Sequence, residues 1–374
     1  MGERKAARLR PQEHLPARQA TEALARTIGQ ALSALTQARP LVDSEDLERW
    51  RLYQEAVQRL AGEVQQVTGR DPIDARDVER AAGRGLAVHA RLIEVASWLA
   101  RHLWGAKRLD PEAPEAPPQP RTRIATSATL MTGGDWTYWR NRVGCPPEAT
   151  TLAVPSPFAF AHQALLYVPQ GQEALLPPKH PSEACVAALT ARIEALLQVS
   201  DGRALGLFTS DRMLGEVVVR LTGRLPWTIL VQGDLPPPQL LRLFRSAVQS
   251  VLFATRSVWE GVDVVGEALS LVIIDRIPCR SPDDPLWEAR CEAARQAGGD
   301  PCRDLARPDA ALRLKQGFGR LIRHRTDRGV VALLDSRVRV NGDGGFLVRS
   351  LPPATLTAEL EAVQRFCAMP VSQL

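Results

Sequence analysis

Several features are scarce in this 374-residue chain, and each scarcity narrows what it can do. Of 47 basic residues only four are lysine: Lys5, Lys107, Lys179 and Lys315. They follow Arg4, Ala106, Pro178 and Leu314, so the chain contains no Gly-Lys pair. A phosphate-cradling loop ends in Gly-Lys-Ser/Thr, because its lysine must reach the phosphates from a glycine turn. This sequence carries no such loop. Its six cysteines show no C-x2-C or C-x4-C spacing, which leaves zinc ribbons and iron–sulfur runs without local support. Scattered thiols suit a reducing, cytoplasmic compartment. No run of 18 apolar residues is present, so no membrane-spanning helix is expected. The opening MGERKAARLRPQEHL has basic residues with no apolar stretch behind them, so no secretory signal is expected either. There is no internal repeat.

What is present describes an ordinary soluble protein of two or three domains, 45% hydrophobic and 24% charged. The net charge of +5 permits a polyanionic partner without requiring one. The excess of arginine, with 29 prolines, fits coding bias in a GC-rich genome.

Three segments separate by pattern. Residues 1–109 read as helical. Leu24, Ile28, Ala31, Leu32 and Leu35 recur at helical spacing, as do Leu47, Trp50, Tyr53, Val57, Leu60, Val64 and Val67. A third helix is expected over 77–104, with Leu86, Ile93, Ala96, Leu99 and Leu103 inward. Residues 110–120, DPEAPEAPPQP, form a proline-rich connector. Beyond it, short apolar runs alternate with longer helical stretches. The runs are Arg123–Thr126, Ala204–Thr209, Thr228–Val231, Val251–Thr255, Leu269–Ile274 and Val330–Leu334. Unbroken apolar strands are buried on both faces, so the expectation is an α/β fold: a parallel sheet with flanking helices. The runs end in polar clusters, and ligands in such sheets bind at the carboxyl ends of the strands.

Four blocks carry chemistry. Thr126-Ser127-Ala128-Thr129-Leu130 and Leu207-Phe208-Thr209-Ser210 place hydroxyls at strand ends. Ser257-Val258-Trp259-Glu260-Gly261-Val262-Asp263 offers a glycine for close backbone approach and carboxylates beside it. Gln316-Gly317-Phe318-Gly319-Arg320-Leu321-Ile322-Arg323 sets two arginines at i and i+3, expected on one helix face one turn after Gln316. Paired guanidinium groups suit a transferring phosphoryl group, whose charge spreads over several oxygens.

Taken in order, these blocks resemble motifs III, IV, V and VI of superfamily 2 helicases, in particular the DinG/XPD-like group. GGDWTYWRNRVG, SPF, ALSLVIIDRIP, PDDPL and DRGVVALLDSRV are similar to that group's linking text. The resemblance runs from about residue 121 to about residue 353. It implies a RecA-like second motor domain over 151–374, with 121–150 the motif III remnant of a first motor domain. Residues 1–109 match the group's helical arch in position. It implies that Ser127 and Thr129 couple hydrolysis to domain movement, and that Glu260, Gly261 and Asp263 border the nucleotide. Gln316, Arg320 and Arg323 would face the γ-phosphate, the arginines as arginine fingers. Thr209, Ser210, Thr255 and Ser257 would contact nucleic-acid phosphates.

The sequence also departs from the group. A complete member has Walker A, a DEAH box and, in many cases, four cysteines holding a 4Fe–4S cluster. None is here, and Glu13-His14 is the only Glu-His pair. The resemblance therefore implies ATP and Mg2+ as ligands of a completed motor only. Single-stranded or forked DNA is the expected partner, together with a separate chain carrying the first motor domain. A truncated, split or misassigned reading frame is one expected origin; a non-catalytic nucleic-acid-binding derivative is the other. An unrelated doubly wound enzyme has little support, because no G-x-G-x-x-G follows an early strand.

Overall fold

The structure is a computed structural model. It describes residues 5–8, 15–38, 47–68, 74–81, 85–105, 122–170, 175, 182–255, 269–340 and 344–369. The chain divides into two compact units. One comprises residues 1–103, 142–144 and 280–301; the other comprises 104–141, 145–279 and 302–374.

The first unit contains two long helices, α1 (Leu15–Ala38) and α2 (Leu47–Thr68), as their periodicity predicts. The Trp50 indole N–H donates to the Leu35 carbonyl at 3.1 Å and ties one to the other. The third helix is not formed as expected. Residues 77–81 and 85–92 lie instead in an antiparallel sheet, β1 (Lys5–Arg8), β2 (Asp74–Ala81) and β3 (Gly85–Leu92). The physical reason is local. Gly83 and Gly85 interrupt a helix, while Leu86, Val88, Ala90 and Leu92 alternate with the two-residue period of a strand. Helix resumes only at α3 (Ala96–Leu99).

The second unit is built on seven parallel strands in the order β10-β4-β9-β8-β5-β7-β6. These are β4 (Ala164–Tyr167), β5 (Ala204–Leu207), β6 (Thr228–Val231), β7 (Ser250–Ala254), β8 (Leu271–Ile274), β9 (Gly329–Leu333) and β10 (Thr355–Thr357). Alternate strand residues face two separate cores. Leu166, Leu205, Leu207, Leu252, Val272, Ile274, Val331 and Leu333 pack with residues of α8 (Pro237–Ser246) and α10 (Arg307–Phe318). Leu165, Tyr167, Val251, Phe253, Leu271, Ile273 and Val330 pack with α6 (Glu183–Ser200), α7 (Asp211–Leu221) and α13 (Leu360–Ala368). Each buried Leu, Ile, Val or Phe contributes about 1.5–3 kcal/mol by leaving water. The sheet is the helix-flanked parallel α/β architecture anticipated from the apolar runs, and it is RecA-like as the resemblance implies.

One run behaves differently. Arg123–Thr126 does not form a strand, and Ile124 is 85% exposed. An extended segment becomes a strand only when neighbours satisfy its backbone N–H and C=O groups. The expected linker at 110–120 lies outside the described residues.

Candidate functional site at the carboxyl edge of the sheet

Register builds the site. Leu207 pairs with Ala254 on one side and Ile274 on the other, and Ile274 pairs with Leu333. The strands therefore end level, and the residues that follow them share one edge: Thr209-Ser210, Thr255, Asp275-Arg276 and Asp335-Ser336.

At this edge Asp275 is the organising group; the sequence marked Asp275-Arg276 only as one of several polar strand endings, with no role for the carboxylate. Only 3% of it is exposed. Its carboxylate accepts from the Thr209 backbone N–H at 2.9 Å, the Thr209 hydroxyl at 3.2 Å and Arg276 Nε at 3.4 Å. Burial pushes its pKa up to about 6, outweighing the lowering by Arg276 and the Thr209 hydrogen bonds. Thr209 thus joins the ends of β5 and β8. Ser210 caps α7, its hydroxyl accepting from the Met213 N–H at 3.3 Å. The Thr255 hydroxyl donates to Asp211 at 3.0 Å, and its N–H donates to Gln232 Oε1 at 2.8 Å. Three of the four hydroxyls expected to meet nucleic acid are therefore engaged within the fold. The fourth, Ser257, lies outside the described residues, as do Glu260, Gly261 and Asp263. Beside the edge, Ser210, Arg212, Met213, Glu216 and Arg276 line a cleft of about 230 Å³. A larger cleft, about 400 Å³, is lined by Ala195, Gln198, Leu360 and Cys367 and includes none of the strand-end residues.

The arginine block differs from expectation. Gln316 occupies the last turn of α10, but the helix ends at Phe318, so Arg320 and Arg323 lie beyond it rather than on one helical face. The chain tightens as it leaves: Gly319 N–H donates to Lys315 O at 2.9 Å, Arg320 N–H to Gly317 O at 3.2 Å and Leu321 N–H to Phe318 O at 3.1 Å. Burial of Leu321 and Ile322 in the sheet's core turns the backbone inward and breaks the helical register. Asp327 then pins the loop by accepting from the backbone N–H of Arg323 and His324 at 2.8 and 2.7 Å. From the opposite side comes buried Gln163, at the end of α5 (Phe160–Gln163). Its amide donates to the carbonyls of Arg325 at 2.9 Å and Asp327 at 2.8 Å, while its oxygen accepts from Ala159 N–H at 2.8 Å. Gln163 stood in no recognised block, Asp327 only at the start of the linking text DRGVVALLDSRV, and no periodicity marks either. The backbone of the loop that follows Arg320 is thus held from two directions.

Asp335, fully buried, accepts from the Ile277 backbone N–H at 2.9 Å and receives a two-pronged contact from Arg337 at 2.6–3.2 Å. That contact raises the Arg337 pKa above its ordinary value. Ser127 and Thr129 lie in the segment before the sheet, their hydroxyls 3.2 Å apart. Among the described residues no group of three His, Cys, Asp or Glu side chains can hold a metal ion.

Comparison with known proteins bears on the fold and the family. Residues 193–354 match the model of a helicase C-terminal domain. The chain is 40% identical over 255 residues to the ATP-dependent DNA helicase YoaA of Escherichia coli, covering 68% of this chain and 39% of that protein. It is 42% identical over 247 residues to the ATP-dependent helicase DinG of Mycobacterium tuberculosis, covering 65% of this chain and 36% of that protein. It therefore spans well under half the length of these relatives. An apo XPD structure superimposes with a TM-score of 0.53 at 15% identity, over 88% of this chain and 62% of that one, which shows a shared fold.

Proposed function

We propose, from a chain that belongs to the DinG/XPD-like superfamily 2 helicases and carries their C-terminal portion, that it is the second motor half of an ATP-dependent DNA helicase. Its role is to couple ATP hydrolysis to translocation on single-stranded DNA once a domain bearing Walker A and a DEAH box completes the ATP site. The observation that carries this reading is the arginine loop. Arg320 and Arg323 sit just past α10, on a backbone pinned by Asp327 and Gln163 at the last buried strand of a parallel sheet.

On this reading Gln316, Arg320 and Arg323 form one wall of the ATP site. The guanidinium groups neutralise charge that develops on the γ-phosphoryl oxygens, and Gln316 orients toward the same group. Arginine fingers of this kind accelerate phosphoryl transfer about 10³–10⁵-fold in motors that supply the remaining parts. Phosphate grip and the Mg2+ ligands belong to the completing domain, because this sequence holds no Gly-Lys pair. Residues 122–127 are suited to meet that domain, since Ile124 presents an exposed extended segment. The six free thiols accord with a cytoplasmic protein.

The purified chain is expected to show negligible ATPase activity. Robust hydrolysis stimulated by single-stranded DNA and abolished by Arg320→Ala would overturn that expectation. Salt-sensitive binding to an oligothymidylate, unaffected by nucleotide, would favour the non-catalytic derivative instead.

A further inference from the structure

Between the hydroxyl block and the sheet lies a turn that none of the four motifs includes. Thr132 and Asp135 exchange two backbone hydrogen bonds of 3.0 Å, closing a tight turn over Gly133 and Gly134. Both glycines have positive φ, 61° and 86°, a pairing that strongly favours glycine. Asp135 begins the next helix, α4 (Thr137–Val143), accepting from the Thr137 N–H at 3.1 Å and its hydroxyl at 2.9 Å. These hydrogen bonds, that from the Thr137 hydroxyl first, lower the Asp135 pKa.

The turn is seated on helix α12 (Gly344–Ser350), more than 200 residues later in the chain. The Gly133 N–H donates to the Ser350 hydroxyl oxygen at 2.7 Å, and that hydroxyl donates in turn to the Phe346 carbonyl at 2.9 Å. The Gly133 backbone packs close against the Phe346 ring: a Cβ there would stand 2.4 Å from Phe346 Cε2. Thr132, the residue before it, is only 3% exposed. On Phe346 also rests the Arg307 guanidinium, 4.6 Å from the ring centroid. Arg307 is the first residue of α10, the helix whose far end carries Gln316 and leads into Arg320 and Arg323. Phe346 and Leu347 share one apolar cluster with Ala310, Ala311, Leu314 and Phe318 of that helix. An unbroken series of contacts therefore runs from three residues past Thr129 to the arginine loop.

We propose that the Thr132–Asp135 turn is a latch. Gly133, Phe346 and Ser350 are positioning residues that transmit the placement of the arginine loop to the Ser127–Thr129 block through α12 and α10. The functional meaning of this link rests on the proposed motor function; the link itself does not. The latch explains why two consecutive glycines follow the hydroxyl block. A side chain at Gly133 would strain the backbone and strike Phe346, forcing the turn off α12.

Hydrogen–deuterium exchange on the full chain tests the link without nucleotide or a second domain. Ser350→Ala removes the acceptor of the Gly133 N–H. It is expected to raise exchange about fivefold in 131–137, the loss of one hydrogen bond, and to raise it measurably in 319–327 as well. Arg307→Gln is expected to act in reverse, raising exchange in 131–137 from the α10 end. Ser350→Thr keeps the hydroxyl and should restore wild-type exchange in both segments. If Ser350→Ala does not fold, Ser350→Cys and Arg307→Gln are read alone. Changes confined to 131–137 and 344–351, with 319–327 untouched, would show ordinary local packing and overturn the latch. An intact link in a chain whose completed motor ignores Arg320→Ala would overturn the proposed function and leave the latch standing.

Discussion

The two units handle apolar residues in opposite ways. Every residue of β4, β5, β7, β8 and β9 is buried. In α1 and α2, among the described side chains, Ile28 alone is buried, while Leu24, Leu52, Tyr53 and Leu60 are 45–66% exposed. Both regions announced themselves by hydrophobic pattern, yet only one buries it. A strand that is apolar on both faces must be covered on both faces. A helical stripe needs one covering surface, and its periodicity does not say what provides it.

That contrast can be broken from the sheet side first. Phe253 is fully buried and meets Phe208 edge-on at 5.5 Å between ring centroids. Phe253→Ala should cost about 3–5 kcal/mol, read as a lowered urea midpoint for the second unit. A cost under about 1 kcal/mol would mean that the core is far looser than its burial implies.

The next effect concerns Asp275. Its folded pKa is raised from 3.8 to about 6, so the folded state holds its proton over that interval while the unfolded chain releases it. This group's contribution is fully present below pH 3.8 and is lost as pH rises through about 6. The loss is on the order of 2–3 kcal/mol, since each unit is worth about 1.4. Asp275→Asn should remove that part of the slope, leaving the variant's relative stability highest above pH 6. Stability profiles of the two proteins that stay parallel from pH 4 to pH 7 would show that the carboxyl is not desolvated as its surroundings suggest.

The smallest effect belongs to the helices. Leu52→Ser and Tyr53→Ser, at positions 66% and 63% exposed, should each change stability by no more than about 0.5 kcal/mol. A loss above about 2 kcal/mol in either would show that another surface covers this face and would erase the contrast between the units.

Much of the fold was legible. Thr228–Val231 is the observed β6 to the residue, and four further apolar runs lie within two residues of β5, β7, β8 and β9. β4 escaped notice because ALLY follows FAFAHQ without a break, and β10 because a three-residue edge strand has no periodicity to read. The antiparallel pair β2 and β3 differs from the expected helix because Leu86, Ile93 and Ala96 also fit a helical repeat, and pairing with β1 decided between the two patterns. At the site, the motif residues could be named, but their supports could not. Gln163 sits about 160 residues from the loop it holds. Asp275 looked like any polar residue ending a strand.

The sequence by itself determined the classes of structure and chemistry: which runs are buried on two faces, where glycine permits a tight turn, and that no Gly-Lys loop is present. Those are local properties of steric freedom and side-chain type. Tertiary structure alone decided that Thr209 turns to Asp275, that the helix before Arg320 stops at Phe318, and that Gly133 rests on Phe346. Each of these depends on which distant group supplies a hydrogen bond or fills a gap, and no local pattern carries that information.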